Sequence, residues 1–95
     1  MGNHLTPIEV CERLIGRPEV ISRICEINEK SAYQWRGARG PRAAGDLPLT
    51  AYIRRLLAHS AAHGLGLTAD HLIWGASEAE VADILSLRQV KAEAA

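Results

Sequence analysis

Asn28, Glu29, Lys30, Ser31, Tyr33, Gln34 and Arg36 crowd polar side chains that donate or accept hydrogen bonds into the nine residues from 28 to 36. Asn, Gln, Lys, Glu and Ser are the types whose donors and acceptors match the edges of base pairs. Arg36 is followed closely by Arg39 and Arg42, which add positive charge just after this polar stretch. The chemistry on offer is recognition rather than bond-making. The sequence holds no glycine-rich phosphate loop, nucleophile elbow or paired carboxylates. His59 and His63 are four apart, as two metal ligands on one helix face would be, but Ser60, Ala61 and Ala62 lie between them and the Glu of an HExxH pattern is missing. Imidazoles near a helix C-terminus are favourable through the helix dipole alone. His71 has no evident partner and His4 lies at the chain start. No catalytic residue, metal site, cofactor or small-molecule substrate is expected.

The charge distribution points the same way. Eleven basic and eleven acidic residues cancel to a formal charge of zero. Residues 1–29 carry three Arg against five Glu (net −2). Residues 30–55 carry Lys30, Arg36, Arg39, Arg42, Arg54 and Arg55 against Asp46 alone (net +5), and residues 56–95 carry two basic and five acidic side chains (net −3). A neutral total hides a basic centre, the place where a polyanion would bind.

Positioning these residues requires a scaffold, and 95 residues with 47% hydrophobic and 23% charged side chains suffice for one globular domain, 1–95. Without Phe, its core must come mainly from Leu, Ile, Val and Ala. Five or six helices can be read from their ends. Thr6-Pro7-Ile8-Glu9 is a capping box with Pro at the first helical position, and Leu5 can staple onto Val10. This helix buries Ile8, Cys11, Leu14 and Ile15 and stops at Gly16. Pro18 opens a second helix, with Val20, Ile21, Ile24 and Cys25 facing inward. After a turn at Glu26-Ile27-Asn28, Asn28 caps a third helix through Trp35 or Arg36. Residues 37–47, with three Gly, read as a loop. A fourth helix runs from Leu47-Pro48 to His63 and stops at Gly64. Thr68 caps a short fifth, with Leu67 stapled onto Leu72 and Gly75 as its end. Ser77-Glu78-Ala79-Glu80 is a second capping box, opening a last helix whose tail, 91–95, frays. No strand pattern is visible, so the expected fold is all-α.

Two short helices joined by a tight turn, the second starting at a polar cap, can place that second helix in a DNA major groove. From Pro18 to Trp35 the inward positions are Ile21, Ser22, Cys25, Ile27, Ala32 and Trp35. Ser22 and Ala32 are small where the helices would cross, and Ile27 plugs the turn. The stretch Arg17 to Arg36, with Trp35 ending the second helix and a basic loop after it, resembles the lambda-repressor and Cro class of phage repressors, and most of all the short Cro-like group that includes the YdaS proteins. The resemblance covers about residues 5–63. It departs at Glu26, where family members often have Gly for a positive φ, at Ser22, where Ala is usual, and in the longer, Arg-rich loop 37–47.

The resemblance implies a lambda-repressor-like domain with a helix-turn-helix at 18–36 and a recognition helix at 28–36. Glu29, Lys30 and Gln34 are the candidates for base edges, Glu29 by accepting from a cytosine amino group. Ser31 and Tyr33 would touch phosphate or sugar, although for Tyr33 plain surface packing is an equal alternative. Arg36, Arg39 and Arg42 would lie on the backbone. The implied function is a sequence-specific, dimeric repressor that occupies a promoter. A rival reading is an antitoxin or anti-activator whose helix pair docks another protein. In the C-terminal stretch 68–90, Trp74 and the stripe Val81, Ile84 and Leu85 either close the core over the first and fourth helices or form a homodimer interface. Cys11 and Cys25, fourteen residues apart with no CxxC, read as small core residues rather than a disulfide or a metal half-site. No apolar run approaches the roughly 18 residues of a membrane span, and Met1-Gly2-Asn3-His4 has no signal-peptide character. The expected location is the cytoplasm, at the bacterial nucleoid.

Overall fold

The computed structural model describes residues 3–94; Met1, Gly2 and Ala95, which include the ends of the expected domain 1–95, lie outside the described residues. The chain is mostly helical, with one small sheet: β1 (His4–Leu5), α1 (Pro7–Leu14), α2 (Pro18–Ile24), a 3-10 helix (Ser31–Arg36), α3 (Thr50–His63), α4 (Ala69–Trp74), β2 (Ala76–Ser77) and α5 (Glu78–Ala94). The strands pair antiparallel, His4 with Ser77 and Leu5 with Ala76. The mostly helical chain is compatible with the all-α expectation, and the strand pair is an addition the sequence did not show, because a two-residue strand is too short for any alternation.

The capping signals form as their chemistry requires. The Thr6 hydroxyl accepts from the Glu9 amide, and the Glu9 carboxylate accepts from the Thr6 amide at 2.9 Å, so both halves of the box are made. That hydrogen bonding to Thr6 holds the Glu9 carboxyl below its ordinary range. Gly64 ends α3 in the left-handed conformation at φ 64°. The second box closes only halfway. The Ser77 hydroxyl accepts from the Glu80 amide at 3.1 Å, but the Glu80 carboxylate turns to the buried His71, 2.5 Å from Nε2. The Nδ1 of His71 accepts from the Thr68 amide at 3.0 Å. His71 thus takes the third-residue role in the cap of α4, a role not foreseen for it, and ties α4 to α5. Two boundaries also differ from expectation. Leu47 packs on the core and Leu49 is extended, so α3 starts at Thr50 rather than near Pro48. The tail expected to fray is helical through Ala94.

Two apolar clusters share α1. Ile8 and Cys11 face Ile21, Cys25, Ala32, Trp35, Leu56 and Leu72. Val10 and Leu14 face Leu5, Ala76 and Val81, with Ile84 and Leu85 packed against them. Val81 is only 1% exposed. Val81 therefore closes this chain's own core, and Ile84 and Leu85, half-buried, pack against it. Arg88 strengthens the closure by donating to the Leu14 carbonyl at 2.9 Å, one of the acceptors left over at the end of α1. Trp74 is the exception in the expected interface, with 72% of its surface exposed. At Gly75 (φ 80°) a Cβ would stand 2.0 Å from the Leu5 carbonyl oxygen, so only glycine lets the chain cross beside β1. No described helix is long and apolar enough to cross a membrane.

Candidate nucleic-acid interface

The junction after α2 is a Schellman turn. The Ile27 amide donates to the Ser22 carbonyl at 3.1 Å and the Glu26 amide to the Arg23 carbonyl at 3.0 Å. Glu26 occupies the left-handed position at φ 59°, alone among the described non-glycine residues. Its carboxylate forms an ion pair with Arg55 of α3, which holds the turn against the core.

Beyond the turn the chain forms a 3-10 helix rather than an α-helix, and Ser22 supplies the reason. Its hydroxyl, fully buried, accepts from the Ala32 amide at 3.0 Å. In an α-helix begun at Asn28 that amide would bond to the Asn28 carbonyl four residues back. Deprived of it, the segment uses three-residue spacings: Ser31 to Asn28, Tyr33 to Lys30 and Gly37 to Gln34. The Asn28 side chain accepts from the Lys30 amide at 3.0 Å, so it caps a turn and not the expected helix start. The Ser22 hydroxyl thus clamps the two segments together.

All six inward positions are covered. Ile21, Ser22, Cys25, Ala32 and Trp35 are buried, Ile27 is half-buried, and Trp35 stacks on Tyr52 with ring centres 5.3 Å apart. Asn28, Glu29, Lys30, Tyr33 and Gln34 are exposed, and Ser31 is half-covered. The strip expected to meet base edges thus lies open to solvent.

Several of its charged neighbours are occupied. The Tyr33 hydroxyl donates to Glu19 at 2.8 Å. That bond raises the phenol pKa, and together with the backbone amide of Glu19 itself it lowers that of the carboxyl. Arg36 pairs with Glu12, which raises the guanidinium pKa, and lies 5.2 Å from the centre of the Tyr33 ring. Arg42, expected on phosphate, is turned onto the protein's own carbonyls: Trp35 at 3.2 Å, Asp46 at 3.0 Å and Gln34 at 3.5 Å. Among the described residues, Lys30 and Arg39 are in no ion pair. Glu12 and Glu19 were missed as site neighbours because their approach from α1 and α2 depends on helix crossing, which leaves no sequence pattern.

The His59 and His63 rings lie 4.4 Å apart, and burial together with the neighbouring ring lowers the His59 pKa. The described residues hold no group of three or more potential metal ligands. Cys11 and Cys25 are free, buried thiols. Burial raises the Cys11 pKa and pushes that of Cys25 up to about 11. No family model matches the chain, and no curated protein or solved structure shows a detectable similarity to it.

Proposed function

We propose that the chain is a sequence-specific DNA-binding regulator of the Cro-like type, a repressor that reads the major groove with residues 28–34. The observation that carries this reading is the clamp between α2 and the 3-10 helix. A Schellman turn and the Ser22 bond fix the second segment against the first, while Tyr33 and Gln34 of that segment, and Asn28, Glu29 and Lys30 just before it, remain exposed. A rigid, open, hydrogen-bonding strip beside basic residues is what base readout needs. Lys30 and Gln34 discriminate between bases in this reading, and Arg36 joins Arg39 on the backbone by exchanging Glu12 for a phosphate. One such strip spans only a few base pairs. Two copies, whose strips would lie about 34 Å apart along one DNA face, would supply the missing affinity. With the α5 stripe packed on the core, Trp74 and the half-exposed Ile73 are the candidates for the pairing surface.

Selection of bound duplexes from a random pool, followed by gel shift with competitor DNA at moderate salt, tests the reading. A recurring motif with competitor-resistant bands is the expected outcome; binding of all duplexes alike, or of none, defeats it. One observation favours docking of a protein instead. With Arg36 paired to Glu12, and Arg42 turned onto the protein's own carbonyls, the strip offers a partner fewer free cationic groups than its sequence. Under that rival reading, the protein selects no DNA motif.

A further inference from the structure

In major-groove reading the tight hairpin Arg39-Gly40-Pro41-Arg42 supplies no base contact, only a phosphate contact from Arg39. Arg39 and Arg42 exchange both backbone hydrogen bonds, each at 3.0 Å. Gly40 takes the first turn position at φ 58°, and Pro41 the second with its fixed negative φ. A positive φ followed by a negative one is the pattern that closes two-residue hairpins with the least splay. The base of the hairpin is anchored. Through its bonds to the Gln34, Trp35 and Asp46 carbonyls, the Arg42 guanidinium fastens the hairpin to the C-terminal end of the 3-10 helix. The tip is bare. Arg39 is exposed, and a Cβ placed on Gly40 would meet nothing within 4 Å. The hairpin, together with Asp46, Leu47 and Pro48, lines an open cleft of about 610 Å³.

We infer that this hairpin is a second reading element, which carries Arg39 into the minor groove beside the major groove occupied by residues 28–34. The inference rests on the DNA reading and deepens it by assigning a preference for A·T-rich flanking sequence. A phosphate contact could be made from a flexible loop. Here a two-residue tip, slim because one of its residues is glycine, is tied to the edge of the reading strip by the bonds of Arg42 to the Gln34 and Trp35 carbonyls. Such a tip suits a groove only about 6 Å wide. Narrow A·T-rich minor grooves concentrate negative potential and attract arginine, whose guanidinium is less strongly hydrated than an ammonium group. Pro41 brings no amide donor to the tip, so the preference falls on one side chain.

The test is selection from randomised duplexes with the full chain, run in parallel for the wild type, Arg39→Lys and Arg39→Ala, each shown folded by circular dichroism. The expected wild-type result is a central motif with A·T-rich flanks, and G·C flanks should weaken binding about tenfold. Both variants should keep the central motif and lose the flank preference; Arg39→Lys should also keep the wild-type salt dependence. Unchanged A·T flanks in Arg39→Lys, or a wild-type motif without them, overturns the proposal and returns Arg39 to plain phosphate contact. A wild type that selects no motif at all defeats the DNA reading itself, and the hairpin's role with it.

Discussion

The two faces of this molecule divide their side chains in opposite ways. Around α2 and the 3-10 helix, the apolar residues expected inside are covered, and what reaches solvent is almost entirely polar. Around α4 and α5, buried His71 forms the cap while Ile73, Trp74, Leu87 and Val90 stand more than half exposed. The first face suits a hydrated, charged partner; the second suits an apolar one. The difference comes from α1, whose two sides anchor separate clusters. The first cluster closes through Trp35 and Leu56 over a clamped turn, whereas the second closes through the β1–β2 pair and the first half of α5, leaving Leu87 and Val90 beyond it.

The largest effect is expected where the first face meets its core. Trp35→Ala removes a buried ring stacked on Tyr52 and should cost about 3–5 kcal/mol, enough to unfold much of a domain of this size. Urea denaturation would show it, and a cost below about 1 kcal/mol would mean the strip does not depend on this core. Next is Ser22→Ala, which strands the Ala32 amide in the interior. A loss of about 1–3 kcal/mol is expected, with weaker DNA selection as the 3-10 segment loosens. If stability is unchanged, the clamp is not what fixes the strip.

Lys30→Ala and Gln34→Ala sharpen the comparison from the functional side. Each should cost about 1–3 kcal/mol on the selected motif and much less on random DNA, with no change in melting temperature. Equal losses on both DNAs would reduce these residues to general contacts. Trp74→Ser addresses the opposite face. Stability should move by no more than about 0.5 kcal/mol, while under the proposed pairing light scattering should report a dimer for the wild type and a monomer for the variant. A dimer that survives places pairing elsewhere.

The smallest expected effect is acid-dependent. The Glu9 pKa is lowered on folding from an ordinary value of 4.5, so the native carboxylate binds its proton less readily than the unfolded one. Its stabilising contribution is present above about pH 4.5 and is lost as pH falls through the lower, folded value. Glu9→Gln should flatten the acid limb of the stability curve, measured by chemical denaturation across that range; an unchanged limb would assign it to other carboxylates.

Much of this architecture was legible in the sequence because its signals are local. Thr6-Pro7-Ile8-Glu9 formed both halves of its cap, Gly64 ended α3, and the inward spacing from Ile21 to Trp35 described the burial. Each depends on residues a few positions apart, and helix geometry alone brings these together. The outcomes that differed depend on distant partners. Val81, Ile84 and Leu85 have the same amphipathic spacing whether they face α1 or a second chain, and only the path of the chain through Gly75 and the β1–β2 pair turned them inward. Glu80 had a local use in a capping box but found buried His71 across the α4–α5 corner. Arg42 and Arg36 counted as free charge in the sequence until folding brought the Gln34, Trp35 and Asp46 carbonyls to one and Glu12 to the other. Periodicity and capping operate within one or two turns and are written in the chain; the pairing of charges and the choice between core and surface are decided by which segments come to lie side by side.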